Sequence, residues 1–517
     1  MTEVFPAPVA YEAPRSVQAQ LYDGAPDFLA GLLFQRTTAS AVTTADAPLA
    51  AAALAAAAPV TAAPAAPTLD TVPAAAPALD STPAVDAASV LRAPSSSSPS
   101  SSSSASPTSS VLIRDAARGS RGAQAFDPAV LAGLKGPALL TSVSMLSTAQ
   151  LEAFVAEHPQ KVRDLIRTPP AGSQVARWWK NLPPTQQRTL VAGAPEIVGN
   201  LEGVPIPVRD GANRRYLEET KDGILDRLDR GVGRGVQQTL LRDLRMLGQI
   251  EAALGERTAM PDRSLLTLDT KYPGRAAIAL GDLATADYVT FVVPGMFYSV
   301  TAHMRDWTDA AARIYDEQAG FQGLFQENRA VATVAWIGYQ APHLMNIGTL
   351  DLARQGADYL SNAVDGVRTI QDTDPFVSVI AHSYGTTTTL LALSDGSTRV
   401  DAVGLVGSPG SAAQSVDELD VPARNVYVGE AGMDPIVDSA FFGSDPGAAS
   451  FGAQKMSVAG SVDRLTSEVL NPSRGHNDYF TPGSEAMRNM ALIGIDKGRW
   501  VTDGTPDDAE KTLALAR

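Results

Sequence analysis

The stretch Phe376–Ser394, FVSVIAHSYGTTTTLLALS, decides how this 517-residue chain is read. Its first half, VSVI, is a run of apolar and β-branched residues suited to a strand buried on both faces, and YGTTTTLLALS has the length of a short helix. Between them stands Ala381-His382-Ser383-Tyr384-Gly385. A serine on a sharp strand-to-helix turn presents its hydroxyl as a nucleophile, and the turn needs small residues two places to either side because the backbone there is crowded. Ala381 occupies a place where glycine is usual, and its methyl group is the smallest enlargement available. The plainer alternative is that Ser383 only opens an ordinary helix.

Outward from this stretch, short apolar runs alternate with helix-length segments. Strands are predicted at Leu265–Leu268, Ala276–Leu280, Tyr288–Val293, Ala330–Trp336, Phe376–Ile380, Ala402–Val406, Asn425–Val428 and Lys455–Val458. Crossover helices are predicted at Thr301–Gln318, Gly348–Gln371, Tyr384–Leu393 and Ser484–Ile493. The first two strands, joined by the Lys271-Tyr-Pro-Gly274 turn, would form an antiparallel edge. This order predicts the α/β class with an α/β-hydrolase fold, a mostly parallel sheet of about eight strands.

If Ser383 is a nucleophile it needs a general base, then an acid to orient that base. Five histidines are present, and in the chain order of this fold, serine then acid then histidine, His476 alone lies downstream of Ser383. It sits in Asn471-Pro-Ser-Arg-Gly-His-Asn-Asp-Tyr-Phe480, a loop after the last predicted strand. The acid is assigned to Asp434 in Gly429-Glu-Ala-Gly-Met-Asp-Pro435, with Asp438 second and Asp478 third; a plain turn before Pro435 is the bland alternative for Asp434. The oxyanion of an acyl transfer needs two backbone N–H donors. Tyr384, directly after the serine, would supply one, and Met296 in Pro294-Gly-Met-Phe-Tyr298 the other. Phe297, Tyr339 and Tyr479 are candidates to line an apolar substrate pocket. His382 is expected to point away from the serine and to serve structure.

The rest of the chain reads differently. Residues 1–120 form an Ala/Pro/Ser-rich tail, with APSSSSPSSSSSASPTSS at Ala93–Ser110, too poor in large apolar groups to offset the entropy of ordering. The apolar island Phe28-Leu-Ala-Gly-Leu-Leu-Phe34 within it would be either a docking segment for a protein partner or a segment that packs loosely on its own domain or on nothing. Residues 121–260 are predicted to be helical, and Leu146–Leu165 aligns with Leu182–Leu201 as a 36-residue repeat: Leu146/Leu182, Gln150/Gln186, Val155/Val191, Ala156/Ala192, Pro159/Pro195, Val162/Val198 and Leu165/Leu201. The catalytic domain would span 261–500, with a C-terminal tail at 501–517.

Composition narrows the function further. A formal net charge of −15 opposes a broad nucleic-acid footprint, which needs a basic face. Arg227, Arg230 and Arg234 alternate with Asp226 and Asp229, the pattern of a solvated helix face. The absence of cysteine excludes disulfides, thiolate metal ligands and a cysteine nucleophile. Neither a phosphate-cradling loop nor a metal-ligand cluster appears, so no cofactor and no metal are expected. The start, MTEVFPAPVAYEAPR, lacks the pattern of a signal peptide, and Pro48–Pro64 is too alanine-rich and proline-broken to span a membrane. A cytoplasmic location is favoured, with export lacking a cleavable signal as the alternative.

Nine motifs in order, Trp179-x2-Leu182-x3-Gln186, Pro195–Pro205 (PEIVGNLEGVP), Arg209-Asp-x-Ala-Asn213, Val293-Pro-Gly295, Trp336-Ile-Gly-Tyr-Gln-Ala-Pro342, Ala381–Gly385, Val406-Gly-Ser-Pro-Gly410, Asp434-Pro435 and Gly475-His-Asn-Asp-Tyr-Phe480, together resemble a bacterial, actinobacterial-type α/β-hydrolase family filed as a domain of unknown function. The resemblance covers roughly residues 175–495. It implies the hydrolase fold and, on the matching positions, Ser383, Asp434 and His476 as a catalytic triad; it supplies no substrate. The expectation is a serine hydrolase acting on a small-molecule ester or thioester. Amide or peptide cleavage is the alternative within the fold, and a non-catalytic binding module the alternative outside it.

Overall fold

A computed structural model describes residues 131, 133–258, 260–343, 348–422 and 425–505, apart from the side chain of Asp438. The tail 1–120 with its Phe28–Phe34 island, the Pro48–Pro64 run and residues 506–517 lie outside the described residues.

The first helices are α1 (Gly136–Val143), α2 (Thr148–Glu157), α3 (Pro159–Arg167), α4 (Gly172–Asn181), α5 (Pro184–Gly193), α6 (Pro195–Val198), α7 (Ile206–Asp229) and α8 (Arg234–Leu254). The sequence repeat is a structural one. Helices α2 and α5 begin and end 36 residues apart, and Pro159 and Pro195 each start the next helix, where a missing N–H costs nothing. Ser147 and Gln150 cap α2 reciprocally. The second copy departs from the first at α6, which stops after four residues. The chain must turn there so that Asn200 can exchange hydrogen bonds with Leu268, accepting from its N–H at 2.9 Å and donating to its carbonyl at 2.8 Å.

Strands β1 (Arg263–Asp269), β2 (Arg275–Leu280), β3 (Tyr288–Val293), β4 (Val331–Ile337), β5 (Phe376–His382), β6 (Ala402–Val406), β7 (Val426–Gly429) and β8 (Gln454–Lys455) form one sheet in the order β1-β2-β4-β3-β5-β6-β7-β8. Strand β2 runs antiparallel to both neighbours, and β3 to β8 are parallel to one another. The crossovers are α9 (Val300–Leu324), α10 (Asp351–Ile370) and α11 (Tyr384–Ser394), and α12 (Glu485–Gly494) follows the sheet. Among the described residues none of these helices is long and apolar enough to cross a membrane.

The apolar strands are buried on both faces. On one, Val289, Phe291, Val334 and Val379 meet Leu360, Val364, Leu390 and Leu393 from α10 and α11. On the other, Leu268, Ile278, Val292 and Ile380 meet Leu247, Met304, Ile314 and Met490 from α8, α9 and α12. The N-terminal helical segment therefore shares a core with the sheet. The predicted last strand, Lys455–Val458, shortens to two residues, because after Met456 N–H donates to Val428 O the chain leaves β7 and Ser457 N–H donates to Thr502 O. A small hairpin, β9 (Ser461–Val462) with β10 (Val469–Leu470), is too short to leave a periodic signal.

Polar side chains cover the free edge of β1. Asn213 Nδ2 donates to Leu265 O at 2.9 Å, Arg209 Nη2 to Leu266 O at 2.6 Å, and Leu265 N–H donates to Asp210 Oδ1 at 2.7 Å. This is what the Arg209-Asp-x-Ala-Asn213 motif does: it occupies strand groups that would otherwise pair with another chain. Arg209 is buried and forks onto Glu202. Arg209→Met, which strands that carboxylate, is expected to lower unfolding free energy by about 3–5 kcal/mol. Arg215→Met, which breaks the exposed pair with Glu219, should cost less than about 1 kcal/mol in the same denaturant titration.

Candidate active site

Ser383 sits between β5 and α11 with φ 56° and ψ −131°, a strained conformation for a residue with a side chain. Its N–H continues the sheet ladder to Val406 O at 3.0 Å, and its carbonyl accepts from Thr386 N–H at 2.9 Å and Thr386 Oγ1 at 2.7 Å. The turn is pressed against the loop after β3. A Cβ placed on Gly295 would lie 2.4 Å from Ser383 Cβ, and one on Gly385 would lie 2.5 Å from Pro294 O, so both positions require glycine. Ala381 at the departing position is fully buried and accommodated.

The loops after β7 and β10 bring Asp434 and His476 to this turn. His476 Nε2 lies 2.8 Å from Ser383 Oγ, and His476 Nδ1 lies 2.9 and 3.0 Å from the two oxygens of Asp434. A carboxylate only accepts, so Nδ1 carries the proton and the Nε2 lone pair receives the Ser383 hydroxyl. Burial by itself would raise the Asp434 carboxyl. Hydrogen bonding and charge from His476 outweigh that, helped by donation from Ile436 N–H and Tyr479 Oη, and hold it below the ordinary carboxylate range. The side chain of Asp438 lies outside those described, and Asp478 Oδ2 accepts from Arg474 N–H within its own loop.

The remaining candidates divide. Tyr384 follows Ser383 directly and Met296 follows Gly295, the residue pressed against the serine, and among the described residues their backbone N–H groups have no protein acceptor. Phe297 is half-buried beside His343, with rings 6.3 Å apart. Two pocket assignments are corrected. Tyr339 is buried, stacked between Trp336 and Tyr384, and donates to Pro294 O at 2.7 Å, so it props the loop opposite the serine from behind. Tyr479 is fully buried and donates to Asp434 Oδ2 at 2.7 Å while accepting from Ala431 N–H, so it anchors the Asp434 carboxylate. Both hydroxyls found partners in the protein, which sequence pattern alone does not reveal. Sequence reading also missed Phe442, whose ring stands edge-on to Tyr384 at 5.3 Å.

A cavity of about 950 Å³ lies elsewhere, lined by residues such as Arg313, Glu317, Phe321, Leu470 and Met487, and it includes none of the Ser383 constellation. Among the described residues no group of three or more His, Asp or Glu is placed to hold a metal ion.

A family model described as alpha/beta hydrolase matches residues 269–444. Uncharacterized protein Mb0988c of Mycobacterium bovis is 31% identical over 219 residues, covering 40% of this chain and 80% of that protein. The chain belongs to this α/β-hydrolase family. Uncharacterized protein Rv2079 of Mycobacterium tuberculosis is 30% identical over 393 residues, and the match takes in 66% of this α/β-hydrolase chain but 58% of that longer relative. Among solved structures, dienelactone hydrolase from Anabaena variabilis is 13% identical with a TM-score of 0.29, covering 46% of this chain and 97% of that one. Esterase LipW from Mycobacterium marinum is 14% identical with a TM-score of 0.29, covering 50% and 88%.

In this α/β-hydrolase, burial pushes the His382 imidazole down to about 3, with the neighbouring His476 adding to the effect. The unfolded chain, with an ordinary value near 6.5, therefore takes up that proton first as pH falls. The resulting stability is complete above about pH 6.5 and is lost progressively toward about pH 3. Chemical denaturation across this range is expected to show a falling unfolding free energy, and His382→Gln, which cannot titrate, should flatten the slope.

Proposed function

We propose that this α/β-hydrolase is a serine hydrolase that cleaves a small-molecule ester or thioester through an acyl-enzyme. The observation that carries this reading is the unbroken hydrogen-bonded chain from Ser383 Oγ through His476 to Asp434 on a strained turn. Ser383 Oγ attacks the substrate carbonyl carbon while its proton passes to His476 Nε2. The carbonyl oxygen becomes an oxyanion, for which the N–H groups of Met296 and Tyr384 are the assigned donors. As the oxyanion collapses, the bond to the leaving group breaks and His476 returns the proton to that group. Water, deprotonated by the same nitrogen, then attacks the acyl carbon, and as the bond to Ser383 Oγ breaks His476 returns that proton to Oγ and the carboxylic acid leaves. Asp434 keeps Nδ1 protonated and stabilises the imidazolium at each proton transfer. The half-buried Met296 and Phe297, with Phe442 packed on Tyr384, favour an apolar acyl group.

The test is labelling by a fluorophosphonate, with nitrophenyl esters graded by chain length as substrates. An adduct on Ser383 and ester turnover are expected. Ser383→Ala should remove the adduct and lower kcat by about a millionfold, and Asp434→Asn should lower kcat by about 10⁴-fold. Absence of the adduct in folded protein, or equal labelling of Ser383→Ala, would sink the proposal.

A further inference from the structure

His382 ends β5 one residue before Ser383 and is 3% exposed. Its ring centroid lies 4.8 Å from that of His476, 5.9 Å from Tyr479 and 6.0 Å from Phe480. Its Nε2 is 2.7 Å from the backbone carbonyl oxygen of His476. A carbonyl can only accept, so Nε2 carries the proton, and a neutral ring then leaves Nδ1 as a bare acceptor. Among the described residues nothing donates to that buried nitrogen. A buried acceptor without a partner lowers stability, and an aliphatic side chain would avoid the loss. What the histidine supplies that an aliphatic side chain does not is the bond to the carbonyl of the residue whose imidazole faces Ser383.

We infer that His382 is a positioning residue, a strut from β5 that fixes the backbone of His476 and thereby the distance from its imidazole to Ser383 Oγ. The inference rests on the proposed acyl-transfer reading of the site. His476 is gripped at its side chain by Asp434, from the loop after β7, and Gly475 just before it has φ 67°, with its N–H bonded to Gly432 O at 2.9 Å in that same loop. These grips tie His476 to the acid's loop and not to the serine. The bond from His382 ties it to the strand that carries Ser383, so a shift of β5 moves serine and base together. The strut also has to be uncharged, because a cation 4.8 Å from His476 would oppose formation of the imidazolium that the reaction requires. Burial satisfies this condition by keeping the ring neutral.

The full chain is tested as His382→Met, which removes the donor, and His382→Gln, which offers an amide N–H at similar reach. Ester turnover by His382→Met is expected to fall about 10- to 100-fold in kcat with KM within about twofold and Tm not lowered, and His382→Gln should recover most of the loss. Unchanged kcat in His382→Met, or equal impairment of both variants, overturns the inference. A measurement on the wild-type chain stands apart from folding of the variants. Long-range proton–nitrogen correlation spectra should show His382 as the neutral Nε2–H tautomer from pH 8 down to about pH 4, with a slowly exchanging proton. An Nδ1–H tautomer, or titration near the ordinary histidine value, overturns the strut. A correct tautomer in a wild-type chain that forms no fluorophosphonate adduct leaves the strut bond in place and removes the acyl-transfer reading, and with it the positioning role.

Discussion

Holding Ser383 at positive φ costs roughly 1–3 kcal/mol, and the surroundings must over-determine that conformation for it to persist. They do so from three sides. Its N–H is locked to β6, its carbonyl takes two hydrogen bonds from Thr386, and Gly295 closes on its Cβ so tightly that no side chain fits between. Thr386 is itself bonded to Ser408 of the Val406–Gly410 motif, and the loop holding Gly295 is braced by Tyr339. Several motifs far apart in sequence thus serve one backbone angle. Relaxing any of them would let the serine fall back into the helix it precedes.

The sheet that carries this turn is made rigid by polar contacts as well as apolar ones. Inside the core, Gln318 donates to Thr290 at 2.8 Å and accepts from Thr333, and Ser378 joins Thr290 at 3.0 Å, which locks β3, β4 and β5 to α9. Satisfied buried networks of this kind fix register where interchangeable aliphatic residues would permit slippage. At the far edge, Asn200, Arg209, Asp210 and Asn213 perform the matching task for β1. The N-terminal helices therefore belong to the same mechanical unit as the site, although they contribute no side chain to it.

How much of this could be read beforehand depended on the kind of signal. Apolar runs such as VTFVV and VSVI announced the buried strands, and the serine-acid-histidine order singled out three residues that the structure brings into contact. Strand ends were legible only to within one to three residues, since hydrogen bonding to a neighbour decides where a strand such as Val331–Ile337 stops and hydrophobicity does not. The hairpin at Ser461–Leu470 was too short to show a period. Tyr339 and Tyr479 were misassigned because an aromatic ring in sequence looks the same whether its hydroxyl faces a substrate or a carbonyl. The place of His382 was half visible: a histidine beside the serine on a tight turn should point away from it and serve structure, but its partner lies 94 positions away.

His382 and Tyr479 also account for the charge of the site. Both are buried donors beside the His476–Asp434 pair, one to the backbone carbonyl of His476 and the other to the Asp434 carboxylate. Burial disfavours whichever form is charged, so it pushes the imidazole of His382 down and the phenol of Tyr479 up, the latter raised further by the Asp434 charge. Opposite shifts therefore have one result, two donors that stay neutral around neutral pH. Asp434 is left as the charged side chain bonded to His476, and its carboxylate lies against Nδ1, on the side of the ring opposite Ser383. An imidazolium at His382 would offset that field, and a phenolate at Tyr479 would add to it while losing its hydrogen bond to Asp434. With neutral donors the geometry around His476 is tightened without altering the field that the Asp434 carboxylate sets at its ring.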